Sequence, residues 1–202
     1  MIALIIPPPR LSMRILEILL GEHNIQTNLD TQATVRRRVS AFIRHPDFNP
    51  TTRENNLALI HLDVPLNLFV GTAIQPVCLP DPTDLFEEVR ATVTGWGSLF
   101  TQQAQPFILQ KLEMTTIKSS DCAAEISSIV TDRIICATAE EKGLCLGDNG
   151  GPLVAQIGDQ WVLVGIATIS GTSCHTGPIT FTRITSECYN DIVGQLLRAL
   201  SY

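Results

Sequence analysis

The stretch richest in reactive groups is Cys145-Leu146-Gly147-Asp148-Asn149-Gly150-Gly151-Pro152-Leu153, where a carboxylate and a carboxamide stand side by side between glycines. The carboxamide is inert as a nucleophile. Its nitrogen lone pair is delocalised into the carbonyl, and no neighbouring base can release it. Four histidines, His23, His45, His61 and His175, are the candidates for moving a proton near neutral pH. His61 alternates with apolar neighbours and is expected to face solvent, and His175 follows Cys174. Surface or turn positions are expected for all four. Metal chemistry is not indicated. The six cysteines include no C-x-x-C pair, and no two histidines stand at ligand spacing. No cofactor is expected.

The frame for these groups is a chain of 202 residues, enough for one large domain or two small ones. A hydrophobic content of 45% and a mean hydropathy of +0.19 describe a chain that buries a core. The net charge of -6 and pI near 5.1 give no electrostatic reason to expect nucleic acid as a partner. The one basic run, Arg36-Arg37-Arg38, is expected to be a solvated strand face. Six cysteines favour an oxidising compartment, and their spacing alone does not pair them. Met1 to Ile6 is a short apolar run that stops at Pro7-Pro8-Pro9, without a basic leader or a small-residue cleavage site. No apolar segment is long enough to span a bilayer, so no membrane partner is expected. The cysteines point outside the cell while the first residues carry no address, and a chain lacking its true beginning is expected. Asn-x-Ser/Thr sequons are absent.

Short β-rich runs with Gly and Pro punctuation dominate, without internal repeats. Residues 33–43, 57–62, 89–94, 107–117, 152–157, 160–169 and 179–184 read as strands, which argues for an all-β sandwich or barrel. A short helix is expected near 119–126, capped by Ser119 or Ser120. A second is expected from about Cys188 to Leu200, with Ile192, Val193, Leu196, Leu197 and Leu200 on one face. The segment 77–90, with prolines at 80 and 82 and several acids, reads as a linker between two halves.

Several islands occur in a fixed order. The loop at 145–153 resembles the C-x-G-D-S-G-G-P-L pattern of the chymotrypsin-like serine proteases, with Asn149 where that family has serine. Gly21-Glu22-His23-Asn24, His45-Pro46-Asp47-Phe48-Asn49-Pro50, Asn55-Asn56-Leu57-Ala58-Leu59-Ile60 and Ile74-Gln75-Pro76-Val77-Cys78-Leu79-Pro80 resemble its G-E-H-N/D, H-P-x-Y-N-P, N-N-D-I-A-L-L and I-x-P-V-C-L-P segments. Thr94-Gly95-Trp96-Gly97, residues 131–137 and Phe181-Thr182-Arg183-Ile184 stand for T-G-W-G, I-T-D-x-M-I-C-A and Y-T-R-V. The resemblance implies two antiparallel Greek-key β-barrels with a cleft between them. Residues 1–14 fall outside it. The domain is expected over 15–202, with a partial first barrel at 15–76, a linker at 77–90, a second barrel at 91–187 and a C-terminal helix at 188–202. The T-A-A-H-C island and the I-V-G-G opening have no counterpart, so the first barrel is expected to be incomplete.

The same resemblance implies the disulfides Cys122–Cys136 and Cys145–Cys174. It leaves Cys78 and Cys188 unassigned: either the partner of Cys78 is absent, or the two pair with each other. In the catalytic triad, serine attacks, histidine carries the proton and a buried aspartate orients the histidine. Asn56 stands at the aspartate position and Asn149 at the serine position, and the histidine has no counterpart. In related triads the carboxylate-to-amide change costs about 10⁴-fold in rate, and loss of the nucleophile costs on the order of 10⁶. The backbone N–H groups of Gly147 and Asn149 fall at the oxyanion-hole positions. Asp148 falls at the position that a new N-terminal amine clamps in activated relatives. Without that amine it is expected to turn elsewhere, as in a zymogen. Gly143 replaces the aspartate that selects basic side chains, and Thr168-Ile169-Ser170 replaces the S-W-G pocket wall, Ser170 narrowing the entrance. Glu22 matches the first carboxylate of a calcium loop, but Asp30 is wrongly spaced for the second, and calcium is not expected.

The resemblance is strongest to arthropod members. It implies a secreted, non-catalytic homologue serving as cofactor or decoy in an extracellular proteolytic cascade, immune cascades included. Its partner would be a protease, a zymogen or an inhibitor. Two alternatives stand beside it: a serine-type endopeptidase by descent, and a truncated product with no function of its own.

Overall fold

The computed structural model describes residues 16–27, 34–68, 73–81, 83–100, 104–126, 130–140, 142–169, 174 and 177–184. The expected C-terminal helix with Cys188, the segment 1–14, and the residues Asp30, Ser170 and His175 lie outside these. Strands β1 (Glu17–Leu20), β2 (Val35–Arg44) and β3 (Ala58–Leu62) form one antiparallel sheet in the order β1-β2-β3. β4 (Arg90–Gly95), β5 (Gln110–Ile117), β6 (Ile134–Thr138), β7 (Pro152–Ile157), β8 (Gln160–Ala167) and β9 (Ile179–Arg183) close into a barrel in the order β4-β5-β6-β9-β8-β7. The helix α1 (Ser119–Ile126) links β5 to β6. Among the described residues, a closed six-stranded barrel, a separate three-stranded sheet and one short helix make a mostly-β architecture consistent with the chymotrypsin-like fold that the resemblance implies, the first barrel being represented by three strands.

Inward alternation builds each core. Ile18, Leu20, Val39 and Ile60 meet on one face of the first sheet. Val93, Met114, Ile135, Leu153, Val164 and Phe181 fill the barrel. Strand β8 is apolar on both faces because both are covered. Val162, Val164 and Ala167 face the barrel interior. Leu163 and Ile166 turn outward and pack with Leu57, Leu59 and Ile184, the seam between the sheet and the barrel.

Several boundaries differ from expectation. β1 and β6 were not read as strands. β5 begins at Gln110, and Ile108 makes only an isolated bridge to Asn24. β8 stops at Ala167, leaving Thr168 and Ile169 as non-strand wall. The first helical bond of α1 runs from Cys122 N–H to Lys118 C=O (3.0 Å), so Lys118, not a serine, occupies the cap. The three arginines do not share a face. Arg36 and Arg38 are exposed and Arg37 is half-buried, because consecutive strand residues alternate sides. Arg36 also pairs with Glu17 across the strands at 3.5 Å. The segment 77–90 is anchored rather than loose. Cys78 brackets β8 through Cys78 N–H to Trp161 C=O (3.0 Å) and Leu163 N–H to Cys78 C=O (2.9 Å). Phe86 joins the barrel core, and Arg90 already belongs to β4.

Candidate functional site

Asn56 reaches its place through a tight turn. Asn55 has φ of 53°, a left-handed backbone that asparagine tolerates, and Leu57 N–H returns to Asn55 C=O at 2.7 Å. That turn drives Asn56 inward to 4% exposure at the head of β3. Its Nδ2 donates to Thr168 Oγ1 (3.4 Å), and its carbonyl accepts from Thr182 Oγ1 (3.2 Å). The two threonine hydroxyls lie 3.2 Å apart. Asn56 and Thr168 were singled out in the sequence; Thr182 was not. Its signal was the alternation of Thr180 and Thr182 with Ile179 and Phe181 along one strand. The cluster is neutral. It holds a carboxamide in a buried polar pocket and offers no charge to stabilise an imidazolium.

Asn149 lies on the rim of the loop before β7. Its Oδ1 accepts from Ile169 N–H at 2.5 Å, and its Nδ2 donates to Ile169 C=O at 3.2 Å. The cleft therefore joins Asn56 to Thr168, and Asn149 to the next residue, Ile169. Cys145–Cys174 and Cys122–Cys136 are formed, and Cys78 carries a free thiol. The first of these disulfides ties the loop beside Asn149 to the segment after the pocket wall. Gly143, half-buried, precedes it.

Asp148 is turned into the barrel end. Its Oδ1 accepts from Gly97 N–H (2.8 Å) and its Oδ2 from Cys145 N–H (3.0 Å). Burial pushes its pKa above the usual carboxylate value, with the Cys145 and Gly97 bonds opposing the shift. The seat for this carboxylate is made by two glycines. A Cβ on Gly95 would fall 2.2 Å from Asp148 Oδ1, and a Cβ on Gly97 would fall 2.2 Å from its Cγ. The T-G-W-G segment was legible as a family mark but not as the floor beneath Asp148. Gly147 is exposed with φ of 103°, and the Gln105 side chain packs against its Cα, since a Cβ there would fall 2.1 Å from Gln105 Nε2. Gln105 was not anticipated.

Of the described histidines, His23, His45 and His61, none is hydrogen-bonded to Asn149. His23 is exposed, and its carbonyl accepts from Leu109 N–H (2.9 Å) and Trp96 Nε1 (3.3 Å), docking the 21–24 turn onto the second barrel. His45 is buried rather than superficial, and its Nδ1 accepts from Asp47 N–H at 3.2 Å. His61 is partly exposed, its Nδ1 2.6 Å from Ser40 Oγ on the neighbouring strand, an exposed contact. Glu22 closes its own turn. Its Oε1 accepts from the N–H groups of His23 (3.0 Å) and Asn24 (3.2 Å), and its Oε2 accepts from Thr34 Oγ1 (3.2 Å). Among the described residues no group of three or more His, Cys, Asp or Glu side chains could hold a metal ion.

The profile of one protein family, described as Trypsin, matches residues 11–193, starting ahead of the expected boundary at residue 15. Over 163 residues the chain is 35% identical to the protein named Serine protease filzig of Drosophila melanogaster. That similarity covers 77% of this chain and 9% of the fly protein, so the chain spans less than a tenth of that curated relative.

Proposed function

The chain belongs to the trypsin family of serine proteases, and on that premise we propose that it is a catalytically inert homologue that binds rather than cuts. The observation that carries this reading is the carboxamide of Asn149 at the nucleophile position, engaged at both ends by the main chain of Ile169. The nitrogen pair of a carboxamide is delocalised into the carbonyl and is not nucleophilic, and here the oxygen and the nitrogen are each held by a hydrogen bond. The neutral pocket around Asn56 supports the same reading, because a triad needs a buried anion there. Gly147 and Asn149 N–H would supply an oxyanion hole with nothing for it to stabilise. The pocket residues Gly143, Thr168 and Ile169 would form a binding wall. Cystine bridges fit an extracellular setting. The partner in this reading is a protease, zymogen or inhibitor of an extracellular cascade, including one of innate immunity, engaged through the loops that rim the cleft.

Purified chain is expected to give no burst of leaving group with an acylating ester and no labelling by a fluorophosphonate. A stoichiometric burst, with contaminating proteases excluded, overturns the reading. The other reading is a serine-type endopeptidase, favoured by the printed name of the fly relative, a serine protease. Because the triad histidine has no counterpart in this chain, restoring Asn56→Asp and Asn149→Ser would not complete a triad, and the wild type itself separates the two: peptide hydrolysis supports the endopeptidase, and none supports the inert homologue.

A further inference from the structure

Asn149 makes a connection that a serine hydroxyl could not. The loop before β7 pairs with the end of β8 through Gly150 N–H to Ala167 C=O (3.0 Å) and Ala167 N–H to Gly151 C=O (2.9 Å). Thr168 then turns to the opposite side and donates its N–H to Thr180 C=O (3.2 Å) beside β9. Alternation brings the main chain of Ile169 back to the loop side. The side chain of Asn149 meets it there, with Oδ1 on the Ile169 N–H and Nδ2 on the Ile169 C=O. A carboxamide carries one carbonyl acceptor and N–H donors, the same pair of functions as a peptide group. It therefore adds one more rung to the β7–β8 ladder after the backbone of the loop has turned away.

We propose that Asn149 is a positioning residue, a side-chain rung that fixes the Thr168–Ile169 wall of the cleft to the loop at 145–151. This deepens, and rests on, the inert reading above. The position that would react in an enzyme becomes a cross-brace of a binding cleft. Ile169 is buried, Asn149 is exposed and the two hydrogen bonds between them are half-buried, so removing the rung takes away both of these main-chain partners of Ile169. Serine, one atom shorter and with a single hydroxyl, cannot span both. Reversion toward the enzyme therefore loosens the wall.

Amide hydrogen exchange at Ile169 reads the rung directly, in the wild type and in Asn149→Ala, Asn149→Ser and Asn149→Asp. The alanine and serine variants are expected to exchange roughly tenfold faster at Ile169, which corresponds to about 1.4 kcal/mol. The aspartate variant supplies a chemical signature. Ionised, its carboxylate accepts from Ile169 N–H but faces Ile169 C=O without a proton. Protonated, it can both accept and donate, as the carboxamide does. The neutral form is the one bound at both ends, so the folded pKa lies above the unfolded one. The protection is present below the unfolded pKa and lost as pH rises through the folded pKa. On the loop, the titrating neighbour is Asp148. On the wall, Thr168 and Ile169 do not titrate. Normalising to the wild type at each pH removes the contribution of Asp148. Protection of Ile169 in Asn149→Asp that returns on acidification supports the rung. Wild-type exchange at Ile169 in Asn149→Ala, or no acid recovery in Asn149→Asp, overturns it. The ester burst of the wild type tests the inert reading alone, so the two can fail separately.

Discussion

At the scale of single residues, the decisive groups are two side chains whose neighbours lie far away in sequence. Asn149 and Ile169 are 20 positions apart, and Asp148 and Gly97 are 51 apart. The identity of Asn149 was plain in its loop, but its partner was not, because no local pattern specifies which main-chain groups a carboxamide will meet. Asp148 gives a testable pH dependence. Burial holds its folded pKa above the ordinary 3.8. By linkage, its contribution to stability is largest below that unfolded value and is lost as pH rises through the raised folded one. The melting temperature of the wild type minus that of Asp148→Asn is expected to fall as pH rises from 3.8 upward through that window. A difference that is flat or climbs across it contradicts the buried-carboxylate account.

At the scale of elements, Thr116 of β5 holds the inter-barrel segment by its hydroxyl and by its main chain, Glu88 N–H donating to Thr116 C=O (3.1 Å) and Thr116 N–H to Val89 C=O (3.0 Å). Thr116 is fully buried; its Oγ1 donates to Phe86 C=O (2.5 Å) and accepts from Val89 N–H (2.9 Å). Phe86 has φ of 51°, unusual for a bulky side chain, and this bond helps to hold it there. Arg183 of β9 grips the same segment through Nη1 to Leu85 C=O, while its Nη2 donates to Ile134 C=O of β6 (3.2 Å). Thr116→Val keeps the shape and takes the hydroxyl partner from a buried carbonyl, that of Phe86, and a half-buried N–H, that of Val89. It is expected to cost about 1–3 kcal/mol in denaturant unfolding, and a change within error contradicts the anchoring role. Most strands were legible because alternation or a bounded apolar run marks them. β1 and β6 were missed for physical reasons. Residues 17–20 put a leucine, Leu19, on the exposed face, which blurs the alternation. Residues 134–138 form a short run buried at its centre, whose type is set by pairing with β5 and β9.

At the scale of the whole molecule, the seam between sheet and barrel carries the geometry of the cleft. Asn56 leaves the first sheet and meets Thr168 and Thr182 on the barrel, beside the apolar contact of Leu57 and Leu59 with Leu163, Ile166 and Ile184. Leu163→Ala removes seam volume while leaving the barrel interior intact. It is expected to destabilise the fold by about 2–5 kcal/mol. Amide exchange is expected to quicken first in β3, at 58–62, before the barrel strands. Uniform acceleration across both parts argues that they open as one unit.

The sequence by itself determined which groups are present at the reactive positions. Asn56 and Asn149 are carboxamides at the positions to which the resemblance assigns an acid and a hydroxyl, and folding does not change the chemistry of a side chain. It also determined the family, through ordered islands whose turn, cysteine and proline positions few other architectures share. Only the tertiary structure decided what the carboxamides do instead. Hydrogen-bond partners are chosen by whatever backbone the fold brings within about 3 Å, and here that backbone comes from β8, β9 and the wall beyond them. A side chain's chemistry is local to its residue, whereas its use depends on contacts that exist only once the barrel has closed.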